Sequence, residues 1–212
     1  MKLTGEDTLV FFMESKNIIA YRLSDGLKLW HIDLRELIPD VLTWYDDQSA
    51  AHDDKIFFYA KSEFESGFTF CLDTTTGHEI ARFKEIRGDM RAFGDQLFAS
   101  VETNTLVGLN MDTLLLSKWD FKKILAPVNL QINAFSFFVT ENNLLCFADS
   151  RGFTSLRFGV VNIATNDVIQ IENVAVCDHH KQNILEVFRY GKRVYIETSD
   201  KSLHLYRLEA NT

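Results

Sequence analysis

The chain has 212 residues, of which 46% are hydrophobic and 25% are charged, and it contains 18 Phe but only 2 Pro and 10 Gly. This length and apolar content suit one folded domain with a sizeable core, and the aromatic content favours strands. The formal net charge of -8 repels nucleic acid and anionic membrane surfaces, so it argues against a nucleic-acid binder and favours basic partners.

The N-terminal residues do not resemble a targeting signal. The segment MKLTGEDTLVFF carries two acidic residues before a short apolar run, and no later stretch reaches the length of a membrane span. Cys71, Cys146 and Cys177 are odd in number and lack metal-ligand spacing, as expected for thiols in a reducing compartment. We therefore expect a cytoplasmic protein without disulfides, membrane contact or cofactor.

Five repeats follow one another along the chain. Each begins with an apolar strand, followed by a polar turn, a second strand, a turn rich in Asp, Asn, Thr or Gly, and a third strand. The repeats start roughly 40 to 50 residues apart, which is the usual length of one propeller blade. Their first residues are Asp7, Asp54, Asp95, Asn143 and Lys192.

A fourth strand precedes each repeat. Short polar turns between apolar runs predict hairpins in the segments DMRAFGDQLF, INAFSFFVTENNLLCF and ILEVFRYGKRVYI. A four-stranded blade cannot bury both faces alone, so blades must stack side by side. We predict an all-β fold in which residues 1–212 form a single β-propeller domain of about five four-stranded blades.

Closure of the predicted ring leaves two strand positions open. The last repeat ends at Thr212, before its outermost strand, and only Met1 to Gly5 are available as the innermost strand of the first repeat. Either this N-terminal segment supplies one of the two strands, or the ring is partly open, or the chain was cut from a longer protein.

The repeat resembles the pyrroloquinoline-quinone (PQQ) type of β-propeller repeat over nearly the whole chain. The resemblance implies that Trp30 and Trp119 dock one blade on the next, with Phe83 in this role in the second repeat, and that Gly26 and Gly77 are the remaining turn glycines. It implies an architecture but no activity, and we find no axial cofactor and calcium site like that of quinone-dependent dehydrogenases. The segments that match the pattern are IAYRLSDGLKLW, FTFCLDTTTGHEIARF, LVGLNMDTLLLSKW, FGVVNIATNDVIQI and LHLYRLEANT.

No group of residues predicts a metal or catalytic site, so we expect a protein that is not an enzyme. The segment CDHHK at residues 177–181 is rich in potential ligands, but adjacent histidines on an extended chain point to opposite sides. The predicted long hairpin loop between Asp46 and Asp54 lacks the alternating oxygen ligands of a calcium loop. A carboxylate pair across the propeller axis, as in five-bladed glycosidases, remains open.

Negative charge is predicted to collect on one propeller face. The turns between the first and second strands and between the third and fourth strands of each blade share this face. Assigning residues to faces by the turn in which they lie places ten acidic residues on this face, with Lys192 as the one basic residue. Asp caps its own backbone in turns, which explains part of the excess, as at Asp25, Asp73, Asp112 and Asp167, but not the scarcity of Lys and Arg. The acidic residues of this face are Asp25, Asp46, Asp47, Asp53, Asp54, Asp73, Asp95, Asp112, Glu141 and Asp167.

These observations predict a monomeric protein-binding module whose acidic face receives a basic partner. The sharper hypothesis is a cytosolic immunity protein that neutralises a basic toxin such as a nuclease. The alternatives are a scaffold or adaptor propeller, and a sugar-binding or glycoside-hydrolysing propeller in which Trp30, Trp44 and Tyr45 stack on sugars. The predicted partner-binding residues are Asp46, Asp47, Asp53, Asp54, Asp25, Asp73, Asp95 and Asp112.

Overall fold

The computed structural model is dominated by strands. Strands hold more than half of the residues, whereas the two helices hold only eight of the described residues, which confirms the predicted all-β class. Side chains are described except at residues 2–4, 11–13 and 43–48. The structure describes residues 2–4, 7–13, 16–63, 67–87, 89–150, 156–174, 183–190 and 193–207.

The first three sheets are antiparallel and have four strands each. Sheet 1 consists of β1 (Lys2–Thr4), β2 (Thr8–Met13), β3 (Asn17–Arg22) and β4 (Lys28–Asp33). Sheet 2 consists of β5 (Val41–His52), β6 (Lys55–Ser62), β7 (Phe68–Asp73) and β8 (Glu79–Phe83). Sheet 3 consists of β9 (Met90–Phe93), β10 (Gln96–Glu102), β11 (Thr105–Asn110) and β12 (Leu116–Asp120).

Two further sheets follow, with four strands and, among the described residues, three. Sheet 4 consists of β13 (Ile132–Val139), β14 (Leu144–Asp149), β15 (Arg157–Asn162) and β16 (Asp167–Asn173). Sheet 5 consists of β17 (Ile184–Tyr190), β18 (Arg193–Thr198) and β19 (Leu203–Arg207). Five successive sheets of neighbouring strands are the pattern expected of propeller blades.

Two short helices lie in the connections after β4 and β12. Helix α1 (Leu34–Leu37) begins after Asp33, whose carboxylate accepts the backbone N–H of Arg35 at 3.0 Å and so caps the helix. Helix α2 (Lys122–Leu125) follows Phe121. No helix in the described part of the chain is long and apolar enough to cross a membrane.

The chain divides into two compact units. Unit 1 comprises Met1–Val101 and Val107–Ser117, and unit 2 comprises Glu102–Leu106 and Lys118–Thr212. The innermost strands contact one another within each unit: β1 with β5 and β5 with β9 in unit 1, and β13 with β17 in unit 2. This is the side-by-side stacking predicted for blades, while a single domain over the whole chain stays a prediction.

The core of unit 1 is built around sheet 2, which is buried on both faces. In β6, Ile56 and Phe58 belong to an apolar cluster with residues of sheet 1. Phe57 and Tyr59 belong to a second cluster, with residues of sheet 3. Neighbouring strand residues point to opposite faces, so the unbroken apolar run of β6 is the expected pattern for a strand covered on both sides.

The core of unit 2 lies between sheets 4 and 5. Cys146 and Phe158 of sheet 4 pack in one cluster with Val187 and Ile196 of sheet 5. Burial raises the pKa of the Cys146 thiol to about 12, and burial likewise raises the pKa of Cys71 in unit 1 to about 12. Both thiols are free and remain protonated at neutral pH. Cys177 lies outside the described residues.

The N-terminal segment supplies the innermost strand of sheet 1. Strand β1 pairs antiparallel with β2, and Lys2 lies opposite Val10. One of the two open strand positions is therefore filled from the N-terminus. The last five residues, which bear on the other position, lie outside the described residues.

Two predictions of local structure are wrong. The segment with Asp46 and Asp47, predicted as a hairpin loop, belongs to β5, whose pairing with β6 is interrupted between Tyr45 and Ala50. Such a bulge holds extra polar residues within a strand, so their composition imitates a loop. Trp119, expected from the resemblance to dock one blade on the next as Trp30 does, is only partly buried. It lies five residues after Leu114, whereas the buried Trp30 lies four residues after the equivalent Gly26.

Candidate functional site

The turns between the third and fourth strands of sheets 1 to 4 share one backbone geometry. In each turn the N–H of the fifth residue donates to the carbonyl of the first, at 2.8 to 2.9 Å. The fifth residue has a positive φ in all four turns, a conformation that favours Gly or Asn. The four pairs are Gly26 with Arg22, Gly77 with Asp73, Leu114 with Asn110, and Asn166 with Asn162.

In each of the first four repeats, the first residue of the repeat also forms a hydrogen bond to the turn between the third and fourth strands. Its backbone carbonyl accepts the N–H of the second turn residue at 2.7 to 2.8 Å, as Asp54 does from Thr74. The two turns of each sheet therefore lie at one end of that sheet, as the sequence predicted. This confirms the register of the repeats that begin at Asp7, Asp54, Asp95 and Asn143, whereas Lys192 lies outside the described residues.

The side chain of the first turn residue caps the turn in sheets 2 to 4. The Asp73 carboxylate accepts the N–H groups of Thr75 and Thr76 at 2.9 and 2.7 Å. Burial opposes ionisation of Asp73, but hydrogen bonds from Thr76 and Thr75 outweigh it and lower the pKa of this carboxyl group. Asn110 and Asn162 accept the corresponding N–H groups in their own turns. An uncharged amide therefore performs the same task as a carboxylate.

The other predicted turn caps behave differently from Asp73. Asp25 accepts the N–H of Leu27 at 3.0 Å, which is a capping contact. Asp112 caps no turn in the described contacts, and its carboxylate instead lies 2.8 Å from Nε2 of His52 on sheet 2. Asp167 is the first residue of β16. Turn chemistry thus explains less of the acidity than the sequence indicated.

Six of the eight predicted partner-binding carboxylates have described side chains, and all six lie at one end of unit 1. The His52–Asp112 contact joins this end of sheet 2 to sheet 3. Trp30 of β4 joins sheet 1 to the same end of sheet 2, because its Nε1 donates to the carbonyl of Thr74 at 2.7 Å. Asp46 and Asp47 lie outside the described side chains. We name this surface the acidic end, formed by Asp25, Asp53, Asp54, Asp73, Asp95 and Asp112.

The predicted scarcity of basic residues at this end is wrong in part. Arg22 pairs with Asp25 at 3.1 Å, and Lys55 pairs with Asp54 at 3.3 Å. Both basic residues occupy strand ends, so a sort by turn position omits them. Exposed pairs of this kind contribute little stability, and all members of the acidic end except the half-buried Asp73 are exposed. The surface stays negative overall.

Exposed leucines accompany the acidic end and were missed in the sequence. Leu23 and Leu27, in the turn of sheet 1, are 47% and 53% exposed. Leu115, beside the turn of sheet 3, is 69% exposed, and its neighbour Leu116 is also exposed. Isolated leucines in turns have no periodic pattern, so only the structure separates them from core residues. They add apolar contact area to a charged surface.

The sugar-binding alternative gains no support from the described residues. Trp30 is only 8% exposed, and its Nε1 is already bonded to Thr74, so it cannot stack on a sugar. A cavity of about 480 Å³ lies along β19 in unit 2, and its described lining contains no carboxylate for glycoside hydrolysis. The side chains of Trp44 and Tyr45, and the segment 177–181, lie outside the described residues.

Comparison with known proteins identifies the fold. No family model matches the chain, and no curated protein matches it in sequence. The computationally designed protein Ika8 matches 97% of this chain with a TM-score of 0.60 at 9% identity, over 57% of its own length. BamB from Moraxella catarrhalis matches 98% with a TM-score of 0.50 at 13% identity, over 69% of its length. KlHsv2 with a replaced loop matches 95% with a TM-score of 0.54 at 13% identity, over 59% of its length.

These neighbours are propeller proteins. The chain has a β-propeller fold. It spans between 57% and 69% of the lengths of the three proteins. Identities this low establish the fold alone, so any function must be argued from the residues of this chain.

Proposed function

We propose that this β-propeller chain is a protein-binding module and that its acidic end receives a basic partner. The proposal rests on one observation: unit 1 carries Asp at turn positions where the backbone geometry does not require a charge. The same hydrogen bonds are made by Asn143 and Asn162 in sheet 4 of unit 2, and by Asn110 at the capping position of sheet 3.

The comparison between units can be made position by position. The backbone carbonyls of Asp54 and Asp95 perform the task that Asn143 performs in unit 2, and a backbone carbonyl is available from any residue. Asp73 caps a turn with a side-chain oxygen, as Asn162 does in unit 2. Asp95 Oδ2 also accepts the side-chain N–H of Asn110 at 2.7 Å, a bond that an amide oxygen can accept equally. Folding therefore uses the oxygen acceptors of these side chains but not their negative charge, and a charged partner gives that charge a role.

The exposed leucines support the same proposal. Interfaces combine apolar anchors with charged residues that guide association, and isolated charges alone give little affinity. Leu23, Leu27 and Leu115 lie in or beside the turns that carry Asp25 and Asp112. A basic partner with apolar side chains of its own would complement both features.

The test begins with affinity capture of a partner from the native cell. Association of that partner is then measured against a variant that combines Asp25→Asn, Asp54→Asn and Asp95→Asn. Asn preserves the oxygen acceptors of these side chains, so the turns should stay intact. The control combines Glu36→Gln, Glu63→Gln and Glu85→Gln, three exposed residues at the opposite ends of the unit 1 strands.

Both variants lose three negative charges, so only position differs between them. We expect the Asn variant to associate about tenfold more slowly at low salt and with a weaker salt dependence, because attraction between opposite charges is screened over about 10 Å at 0.1 M salt. The Gln control should associate nearly as fast as the parent chain. Loss of binding in the control with retention in the Asn variant would contradict the proposal.

The narrower form of this proposal is an immunity protein that neutralises a basic toxin such as a nuclease. The net charge of -8 supports it. An equimolar amount of the chain should then abolish the nuclease activity of the captured partner. A scaffold or adaptor would leave the activity of the partner intact, so this measurement separates the two forms.

We also propose that the repeats are of the PQQ type. The indole of Trp30 lies on the turn of the next sheet, and a Cβ on Gly77 would come within 2.7 Å of Trp30 Cδ2. BamB is a PQQ-like propeller.

In sheet 2, Ala81 holds the position of Trp30, because Ala81 lies opposite Cys71 as Trp30 lies opposite Ala20, each partner being two residues before its turn. Phe83, to which the sequence resemblance assigned this role, lies two residues further along β8. In sheet 3, Leu114 stands where Gly77 stands in sheet 2.

Restoring both members of the pattern tests this assignment. Ala81→Trp alone should destabilise unit 1, because the added indole meets the Leu114 side chain, which packs against the same core cluster as Ala81. Adding Leu114→Gly should recover the lost stability in thermal unfolding. If the double variant is less stable than Ala81→Trp alone, the two positions do not form the docking pair of a PQQ-type repeat.

A further inference from the structure

The contact between sheets 2 and 3 brings three potential metal ligands together. His52 and Asp112 are far apart in sequence, yet His52 Nε2 lies 2.8 Å from Asp112 Oδ1. Asp53 follows His52 directly, and one ligand atom from each of the three residues lies within 4.8 Å of the others. We propose that His52, Asp53 and Asp112 bind a divalent transition-metal ion, with Zn²⁺ the best match. This site goes beyond the proposed partner binding and does not depend on it.

The spacing of the ligand atoms fits such an ion after small side-chain rotations. Zinc lies about 2.0 to 2.2 Å from nitrogen and oxygen ligands, so neighbouring ligand atoms in a tetrahedral site are about 3.3 Å apart. The present separations bracket this value, from 2.8 Å for the hydrogen-bonded pair to the 4.8 Å limit of the group. The ion would take the place of the direct contact between His52 Nε2 and Asp112 Oδ1.

The ligand types favour zinc over calcium or magnesium. Imidazole suits zinc, nickel and copper, whereas calcium requires six to eight oxygen ligands and magnesium an octahedral oxygen shell. Two carboxylates and a neutral imidazole would balance the charge of a divalent ion. His52 is half-buried and both carboxylates are exposed, which leaves the remaining coordination positions to water.

The backbone holds the three residues in place without the ion. His52 ends β5 and pairs with Lys55 across the two-residue turn of Asp53 and Asp54. Asp53 occupies this turn with φ of 48°, a conformation that Asp and Asn tolerate better than most residues. Asp112 is fixed in the turn of sheet 3, where its N–H donates to Asn110 at 3.1 Å. Little ordering would be required on binding.

The test is calorimetric titration of the full chain with ZnCl₂, together with Co²⁺ absorption as a spectroscopic measure of coordination. We expect one site that involves these residues, and a weakening of at least about tenfold in His52→Ala and Asp112→Asn. Asp53→Asn removes a carboxylate from a turn conformation that Asn also adopts, so it serves as a ligand variant with an intact turn. Thermal unfolding without metal checks that each variant folds.

Two controls separate this site from others on the chain. His31→Ala with Asp95→Asn removes another exposed imidazole and another carboxylate of the acidic end, and should leave zinc affinity unchanged. His179→Ala with His180→Ala removes the adjacent histidines of the sequence and should also leave this site intact. Unchanged zinc affinity in folded Asp53→Asn and His52→Ala, or loss of all binding in the His179/His180 variant, would overturn the proposal.

Discussion

Gly77 and Gly26 occupy equivalent turn positions but have different surroundings, so replacing each with Ala isolates one packing contact. Both have positive φ, 75° and 70°, and Ala in this conformation costs about 1 kcal/mol. Nothing lies within 4 Å of a Cβ on Gly26. A Cβ on Gly77 would lie 2.7 and 2.9 Å from Cδ2 and Cγ of Trp30, closer than any normal contact.

The Trp30 indole cannot move away freely. It is 8% exposed, belongs to the core cluster between sheets 1 and 2, and donates its Nε1 hydrogen to Thr74 at 2.7 Å. Overpacking costs about 1 to 3 kcal/mol, and loss of the hydrogen bond about 1 kcal/mol. Gly77→Ala should therefore lower the free energy of unfolding by about 2 to 4 kcal/mol more than Gly26→Ala.

Urea unfolding followed by far-ultraviolet circular dichroism measures both variants. Repeating the two substitutions in a Trp30→Ala background provides the control, because the obstacle to the new methyl group is then gone. In that background the two variants should lose nearly equal stability. If they already agree within about 0.5 kcal/mol with Trp30 present, the indole does not rest on Gly77.

Three further outcomes are expected. Asn104→Ala should lower the free energy of unfolding by about 2 to 4 kcal/mol in urea titration, because the buried amide bonds two backbone groups. Thr105→Val should raise it by up to about 1 kcal/mol, since the buried Thr105 hydroxyl has no partner among the described residues. The Arg189 hydrogen bond lowers the pKa of Glu141 to about 2 from 4.5, so the stabilisation by this pair is present above pH 4.5 and is lost as pH falls towards 2. Glu141→Gln should reduce the change in stability between pH 5 and pH 2, and an unchanged pH profile would contradict this assignment.

The sequence was sufficient to predict the sheets because strand and turn signals are local. The apolar run of β6 and the residues DTTTG, which begin at the last residue of β7, identify a strand and a turn without reference to any other part of the chain. The starts at Asp54 and Asp95 follow from the same signals, and the carbonyls of these residues take part in equivalent hydrogen bonds. Local composition therefore predicted both the strand positions and the register of the first four repeats.

Features that depend on contacts between sheets were not predictable in this way. His52 meets Asp112 only because two turns of neighbouring sheets lie together. The sequence pattern aligned Trp119 with Trp30, but Trp119 follows Leu114 by five residues and Trp30 follows the equivalent Gly26 by four, and only Trp30 is buried. The bulge in β5 imitates a loop because its residues, Asp46 to Ser49, are polar.

The position of β6 at the centre of unit 1 has a consequence for local opening. Its amides should exchange with solvent most slowly, because exposing them requires separation of sheet 2 from both neighbouring sheets. The Thr74 amide, by contrast, is held by a single bond to the Asp54 carbonyl at the exposed end of the same sheet. Its exchange should slow when a partner occupies the acidic end, while exchange in β6 stays unchanged.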